Sequence, residues 1–420
     1  MQITRRQFVQ YVGAAAAAMG LSQAAVLKLT EQIASATWTK PSVIFLEGQV
    51  CGGCETSLVQ LRHPDGHAVL DALVIPNTLG TASVAGLPAG AAEDNALPAL
   101  YSSMGDGKSY TPPTSYGAVT IDDVILDIVD VKIIRIIGSP AGDLYTSTLL
   151  QYCDSSIISG GGNTAFGVLV VTGSVPIGAG DAKKIGENSS ISAGMGATQY
   201  TTADLVAALA KKAGAVIAAG TCASYGGVPA ARNLNYDAVS SRYKYNGAAS
   251  VNACLASYSV STPVVRVPSC PVNPLAFYLT VAQYLVDVVV GGNLNQFVNR
   301  LTSDGRLKTF DAAGVTVPLY SDTIHGGRCP RYQRYNDGDF AAKFGDSGCL
   351  YQRGCQGPNT YAPCAVQALG SDDTPDLKGF WNDFAGQFCI RGGGPCQGCA
   401  NEGYPDRFSP LHTYTNAAGY

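Results

Sequence analysis

Charge is scarce in this chain of 420 residues: Asp, Glu, Lys and Arg make up 14% of it, and 27 basic side chains stand against 31 acidic ones, a net charge of −4. Without a basic excess the surface has no electrostatic footprint for phosphate backbones, so nucleic acid and anionic lipid drop out as partners. Long uncharged apolar runs are missing too. The nearest, Leu275 to Val290, is broken by Asp287 and reads as a buried helix, which leaves no transmembrane span in the processed chain. There are no solenoid-type repeats, and thirteen cysteines are too sparse for a small disulfide scaffold and, being odd in number, cannot all pair. What remains is a chain with 46% hydrophobic residues, enough to bury a full core, organised as two domains behind a removable leader.

The leader is residues 1–36. Thr4-Arg5-Arg6-Gln7-Phe8-Val9 precedes an Ala-rich, weakly apolar run from Val12 to Met19, and Ala34-Ser35-Ala36 has the form of a cleavage site. This order predicts a twin-arginine export signal and a periplasmic destination. Because that route carries folded proteins, cysteines loaded with cofactor before export are better suited to be thiolate ligands than disulfide halves.

Pro41 to Leu46 reads as a buried strand that runs into Glu47-Gly48-Gln49-Val50-Cys51. Ile121 to Ile137 alternates aliphatic and acidic residues, and further strands are expected at Gly167 to Val171, Ala215 to Ala219 and Val264 to Val267, with a helix over Leu205 to Lys212. Strands alternating with helices predict an α/β fold, a parallel sheet covered on both faces, and the cysteines fall just after strand C-termini, where such folds place their sites. Pro76 to Tyr116 reads as a surface insertion and Tyr236 to Ser261 as a long loop. After Gly292 the pattern becomes short apolar runs punctuated by Gly, Pro and Cys, a composition that needs cofactors to hold it. The expected division is therefore 37–292 and 293–420.

Three constellations carry chemistry. The first is Cys51-Gly-Gly-Cys54 with Cys222 and Cys270, each in a strand-end loop rich in Gly. Four soft thiolates suit a cubane iron–sulfur cluster, although a lone CxxC is also the mark of a zinc knuckle or redox pair. The second is His325, Cys329, Cys349 and Cys355, a set that by itself would also serve a structural zinc. The third is Cys364, Cys389, Cys396 and Cys399. Eight candidate ligands between His325 and Cys399 outnumber what one zinc needs and match two clusters.

In their order, Glu47-Gly-x-x-Cys51-x-Gly-Cys54, Gly-Thr-Cys222-Ala-x-Tyr-Gly-Gly, Cys270-Pro-x-Asn-Pro, Arg-Cys329-Pro-Arg, Cys349-Leu-Tyr-x-x-Gly-Cys355-x-Gly-Pro and Cys396-x-Gly-Cys399 resemble the small subunit of periplasmic NiFe hydrogenases of group 1 type. The resemblance implies a flavodoxin-like N-terminal domain and a small irregular iron–sulfur C-terminal domain. It also implies an obligate NiFe catalytic large subunit as partner and three clusters. Cys51, Cys54, Cys222 and Cys270 would hold a proximal 4Fe-4S cluster. His325, Cys329, Cys349 and Cys355 would hold a distal one, and Cys364, Cys396 and Cys399 a medial one. Many relatives have Pro in place of a fourth medial ligand and carry 3Fe-4S there. This chain has Cys389, which predicts 4Fe-4S. Two further departures stand out: Gly53 and Gly227 occupy places where oxygen-tolerant members carry extra cysteines, and Thr172 stands where the family usually has Glu. The implied function is uptake of dihydrogen, with electrons relayed to a cytochrome or a membrane quinone-reducing subunit and with assembly into a higher oligomer open. The competing readings are a cluster-bearing subunit of a related respiratory complex and a secreted zinc- or disulfide-stabilised binding protein.

Overall fold

The computed structural model describes residues 41–59, 130–134, 141–177, 191–195, 198–231, 236–237, 242–243, 247–284, 287–288, 292–312, 315–325, 329–365, 388–390 and 392–405. The leader, the 76–116 insertion and the tail after 405 lie outside the described residues.

The centre is a five-stranded sheet. Its strands are β1 (Ser42–Glu47), β2 (Asp130–Ile133), β3 (Phe166–Thr172), β4 (Ala213–Ala219) and β5 (Val264–Val267), in spatial order β2-β1-β3-β4-β5. Every neighbouring pair is parallel. This is the doubly wound, flavodoxin-like order, in which the chain reverses direction of growth between β1 and β3.

Burial on both faces of the pleat explains why the strands other than the edge strand β2 are mostly apolar. Val43, Phe45, Val168, Val170, Ile217 and Val267 enter one core, against Leu58 of helix α1 (Gly53–Val59) and Phe277 and Leu279 of helix α6 (Pro274–Tyr284). Ile44, Leu46, Leu169, Val171 and Val216 enter the other, against Leu149 of α2 (Gly142–Tyr152), Leu205 and Leu209 of α3 (Thr202–Ala210) and Leu255 of α5 (Val251–Ser257). A short helix α4 (Gly220–Tyr225) follows β4 directly.

The expected loop at 236–261 is corrected here, since its second half is helix α5. Ser250 caps it by accepting from the Ala253 N–H at 3.2 Å, and Val251, Cys254 and Leu255 at i, i+3 and i+4 turn one face inward. The remaining unassigned cysteines, Cys153 and Cys254, are fully buried in this second core, and Cys254 donates to the Ala203 carbonyl at 3.7 Å. Asp287 is buried as expected, and accepts from Arg300, Gln283 and Gln296. Among the described residues no helix is long and apolar enough to cross a membrane.

Helix α7 (Leu294–Asn299) and the following segment pack back on the first core through Phe297, Leu307, Leu319 and Tyr320. Beyond 320 regular structure gives way to short turns around a third, small core of Ile324, Ala341, Leu350, Ala362, Ile390 and Ala400 into which Cys355, Cys364 and Cys396 point.

Candidate functional site

The first ligand group forms at the C-terminal edge of the sheet. Cys51 and Cys54 follow β1, Cys222 lies in α4 after β4, and Cys270 lies three residues past β5. Adjacent parallel strands deliver these loops to one edge, which is the ligand edge of a doubly wound sheet. The thiols meet there: Cys222 feels the charges of Cys270 and Cys51, and Cys54 those of Cys222 and Cys270. Two glycines make the approach possible. Gly220 has φ +86° and a Cβ built on it would lie 2.5 Å from the Cys54 sulfur; Gly227 has φ +55° and its Cβ would lie 2.8 Å from the Cys222 sulfur. Backbone N–H groups turn toward sulfur, from Gly53 to Cys51 and from Val272 to Cys54, both at 3.4 Å.

The second group lines a pocket in the C-terminal part, formed by His325, Cys329, Cys349 and Cys355 with Arg331 and Tyr351 on its wall. The His325 ring stands edge-on to Tyr335, 4.4 Å between centroids, and to Tyr332 at 5.1 Å. Burial holds its pKa below the usual imidazole value, which favours the neutral, ligating form. Arg331 donates to the Asp346 and Gly348 carbonyls at 2.5 and 2.6 Å, so its guanidinium clamps the loop that carries Cys349.

The third group lies between the other two. Cys396 feels Cys355, Cys399 and Cys364; Cys399 feels Cys364, Cys270 and Cys389. Cys389 is exposed on the chain, and its sulfur accepts from the Gln397 N–H. Direct bonds link group to group. The Cys270 N–H approaches the Cys399 sulfur, and the Thr221 hydroxyl donates to the Cys399 carbonyl, which joins the first group to the third. The Cys396 N–H donates to the Cys355 sulfur at 3.3 Å and the Gln356 N–H to the Cys396 carbonyl at 2.8 Å, which joins the third to the second.

These donors fit iron–sulfur clusters. All thirteen cysteines are free thiols, so the eleven in the three candidate groups, with His325, are available as donors. Burial, with the charges of neighbouring cysteines adding, pushes the Cys222 thiol up to about 11, and burial does the same for Cys355, also to about 11. Such thiols do not ionise unaided; they give up the proton to a metal that brings its own positive charge. The N–H groups aimed at sulfur are the hydrogen bonds by which a protein tunes a cluster. A single zinc would need its four donors within about 4 Å of one another, given Zn–S bonds of about 2.3 Å. Among the described residues no three His, Cys, Asp or Glu side chains gather closely enough to share one ion.

One acid was not anticipated from sequence. Glu55, the residue after Cys54, is buried, and its carboxyl accepts from the hydroxyl of buried Thr172 at the end of β3. Its only sequence signal is an acidic residue in the first turn of α1, a common position for a solvent-facing one.

Comparison with known proteins places the two halves separately. Residues 320–412 match the family described as the C-terminal part of the NiFe/NiFeSe hydrogenase small subunit, and residues 119–284 the family described as NADH ubiquinone oxidoreductase, 20 Kd subunit. The chain is 24% identical to the periplasmic NiFeSe hydrogenase small subunit of Desulfomicrobium baculatum, over 98% of this chain and 99% of that one. It is also 24% identical to the uptake hydrogenase small subunit of Azotobacter vinelandii, over 97% of this chain and 82% of that one. In fold it is similar to the NiFeSe hydrogenase of Desulfovibrio vulgaris Hildenborough, with a TM-score of 0.60 and 24% identity over 90% of this chain and 99% of that one.

Proposed function

We propose that the chain is a NiFe hydrogenase small subunit and that it relays electrons from a catalytic large subunit to an external acceptor through three iron–sulfur clusters. Cys51, Cys54, Cys222 and Cys270 would hold the proximal 4Fe-4S cluster. Cys364, Cys389, Cys396 and Cys399 would hold the medial one, and His325, Cys329, Cys349 and Cys355 the distal one. When bound, such clusters accept and release single electrons at potentials set by ligands, burial and hydrogen bonds to sulfur.

The observation that carries this reading is the pair of bridges, Cys270 and Thr221 to Cys399 and Cys396 to Cys355, which order the three ligand sets as first, third and second along one path. This chain's residues keep the sets in register, shield the inner sulfurs and leave His325 at the outer end. The apolar side chain of Val228 stands half exposed beside the Cys222 loop, as a surface awaiting a large subunit would. Uptake of dihydrogen in the periplasm after twin-arginine export is supported by the leader residues and by the relatives' names; the acceptor would be a cytochrome or a membrane quinone-reducing subunit.

A second reading, a subunit of a respiratory complex, draws on the match of residues 119–284 to the ubiquinone oxidoreductase family. That family matches the stretch that carries Cys222, Cys270 and four of the five strands but not Cys51, Cys54 or β1, whereas the ligands proposed after 320 lie in the hydrogenase match.

Iron and sulfide analysis with low-temperature electron paramagnetic resonance on the native complex, oxidised and then reduced under dihydrogen, tests the proposal. Beyond the one iron that the nickel–iron centre of the large subunit adds, about twelve irons are expected for three cubane clusters, with no oxidised 3Fe-4S signal. About eleven with that signal would remove Cys389 from the ligand set, and zinc without iron would overturn the whole reading.

A further inference from the structure

Glu55 sits where a buried carboxyl has no ordinary reason to be. It follows Cys54 in the first turn of α1, its side chain is 1% exposed, and one oxygen accepts from the hydroxyl of Thr172, itself fully buried. The other oxygen, Oε2, is the one buried side-chain polar atom without a hydrogen-bond partner among the described residues. A buried acceptor without a donor carries the full loss of its hydration, so an acid retained there answers to something other than stability. Position 172 supplies the context. It ends β3 beside the end of β1, in register with Glu47, and its carbonyl accepts from the Gly48 N–H at 2.7 Å, so it is tied to the loop leading to Cys51. Glu55 and Thr172 thus face each other at the switch point of the sheet, directly behind the first ligand set.

We propose that Glu55 is a positioning and tuning acid of the proximal site, supplying from α1 the buried carboxyl that residue 172 does not carry. The inference rests on the reading of Cys51, Cys54, Cys222 and Cys270 as cluster ligands. Thr172 orients the carboxyl, the helix fixes it one residue from Cys54, and the acceptor oxygen presents a fixed negative partial charge to the cluster's surroundings rather than a donor. Its expected effect is on the potential of that one cluster, because an acceptor near sulfur disfavours added electrons where a donor favours them.

The test is a redox titration at one pH, followed by electron paramagnetic resonance, on the intact complex. Glu55→Gln, which puts an amide donor in the acceptor's place, is expected to shift the proximal midpoint potential upward, leaving the medial and distal potentials and the iron content unchanged. The exchange variant Glu55→Thr with Thr172→Glu, which moves the acid to the other end of the same hydrogen bond, is expected to bring the potential back toward the wild-type value. An unchanged proximal potential in Glu55→Gln overturns the proposal, as does an equal shift of all three clusters. Should Glu55→Gln lose its proximal cluster, the exchange variant decides: restored iron and potential uphold the proposal, and loss there too overturns it. A wild-type complex without iron at the first set removes the underlying reading and this proposal with it, an outcome distinct from a loaded cluster that ignores Glu55.

Discussion

At the scale of single residues, a thiol at 389 and a proline there are different chemistry, since only the thiol can hold a fourth iron. Cys389→Ser in the native complex is expected to lower the iron count by about one and to produce an oxidised 3Fe-4S resonance, read by metal analysis and electron paramagnetic resonance. Gly227 is constrained more tightly: φ is +55° and an added Cβ would lie 2.8 Å from the Cys222 sulfur. Gly227→Ala is expected to cost about 1–3 kcal/mol and to deplete iron from the first set, checked by thermal melting and iron content. The candidate cysteine groups stood out in the sequence because iron needs soft donors and each set comes with glycines that the crowding around sulfur demands. Glu55 did not, because its burial depends on a hydroxyl 117 positions away, and no local pattern announces that meeting.

At the scale of elements, β1, β3, β4 and β5 were legible because parallel strands buried on both faces leave little room for polar residues, so each stands out as an apolar run, whereas the edge strand β2, with Asp130 and Lys132, showed only as part of a longer alternation. Helix α5 was missed for the opposite reason. Its small and hydroxylic residues resemble a loop, and only Val251, Cys254 and Leu255 trace the inward stripe. The junction between α2 and α3 gives a pH-dependent element. Asp154 accepts from Ser156 and pairs with Lys212 at 2.9 Å and Lys211 at 3.4 Å, and these partners hold its carboxyl well below the usual carboxylate range against the opposing pull of burial. A depressed folded-state pKa means that the contribution is complete above the unfolded carboxylate value of about 4 and is lost as pH falls below it. Thermal melts between about pH 3 and 7 are expected to show wild type losing its advantage over Asp154→Asn only at the acid end. A constant difference across that range would contradict the assignment.

At the scale of the whole molecule, the ligand sets can form one path only if the C-terminal part stays seated on the sheet domain. Part of that seating is the buried carboxylate of Asp287, 1% exposed, which accepts from the Arg300 Nε at 2.7 Å and joins the end of α6 to α7. Arg300→Ala strands this charge and is expected to destabilise the chain by about 3–5 kcal/mol, while Arg300→Met with Asp287→Leu recovers most of the loss, both measured by denaturation of the complex. The change in punctuation after Gly292 marks where long apolar runs end in the sequence. The return of Phe297, Leu307, Leu319 and Tyr320 to the first core was not readable there, since short apolar runs carry no address.

The third core has a further consequence. Cys355, Cys364 and Cys396 are three of its nine buried members, so the proposed iron ligands and the packing that keeps proteases out are the same side chains. On that proposal, a chain made during iron starvation is expected to have an unfinished interior beyond residue 320 and to be cleaved there first, which limited proteolysis of iron-starved and iron-replete protein would show.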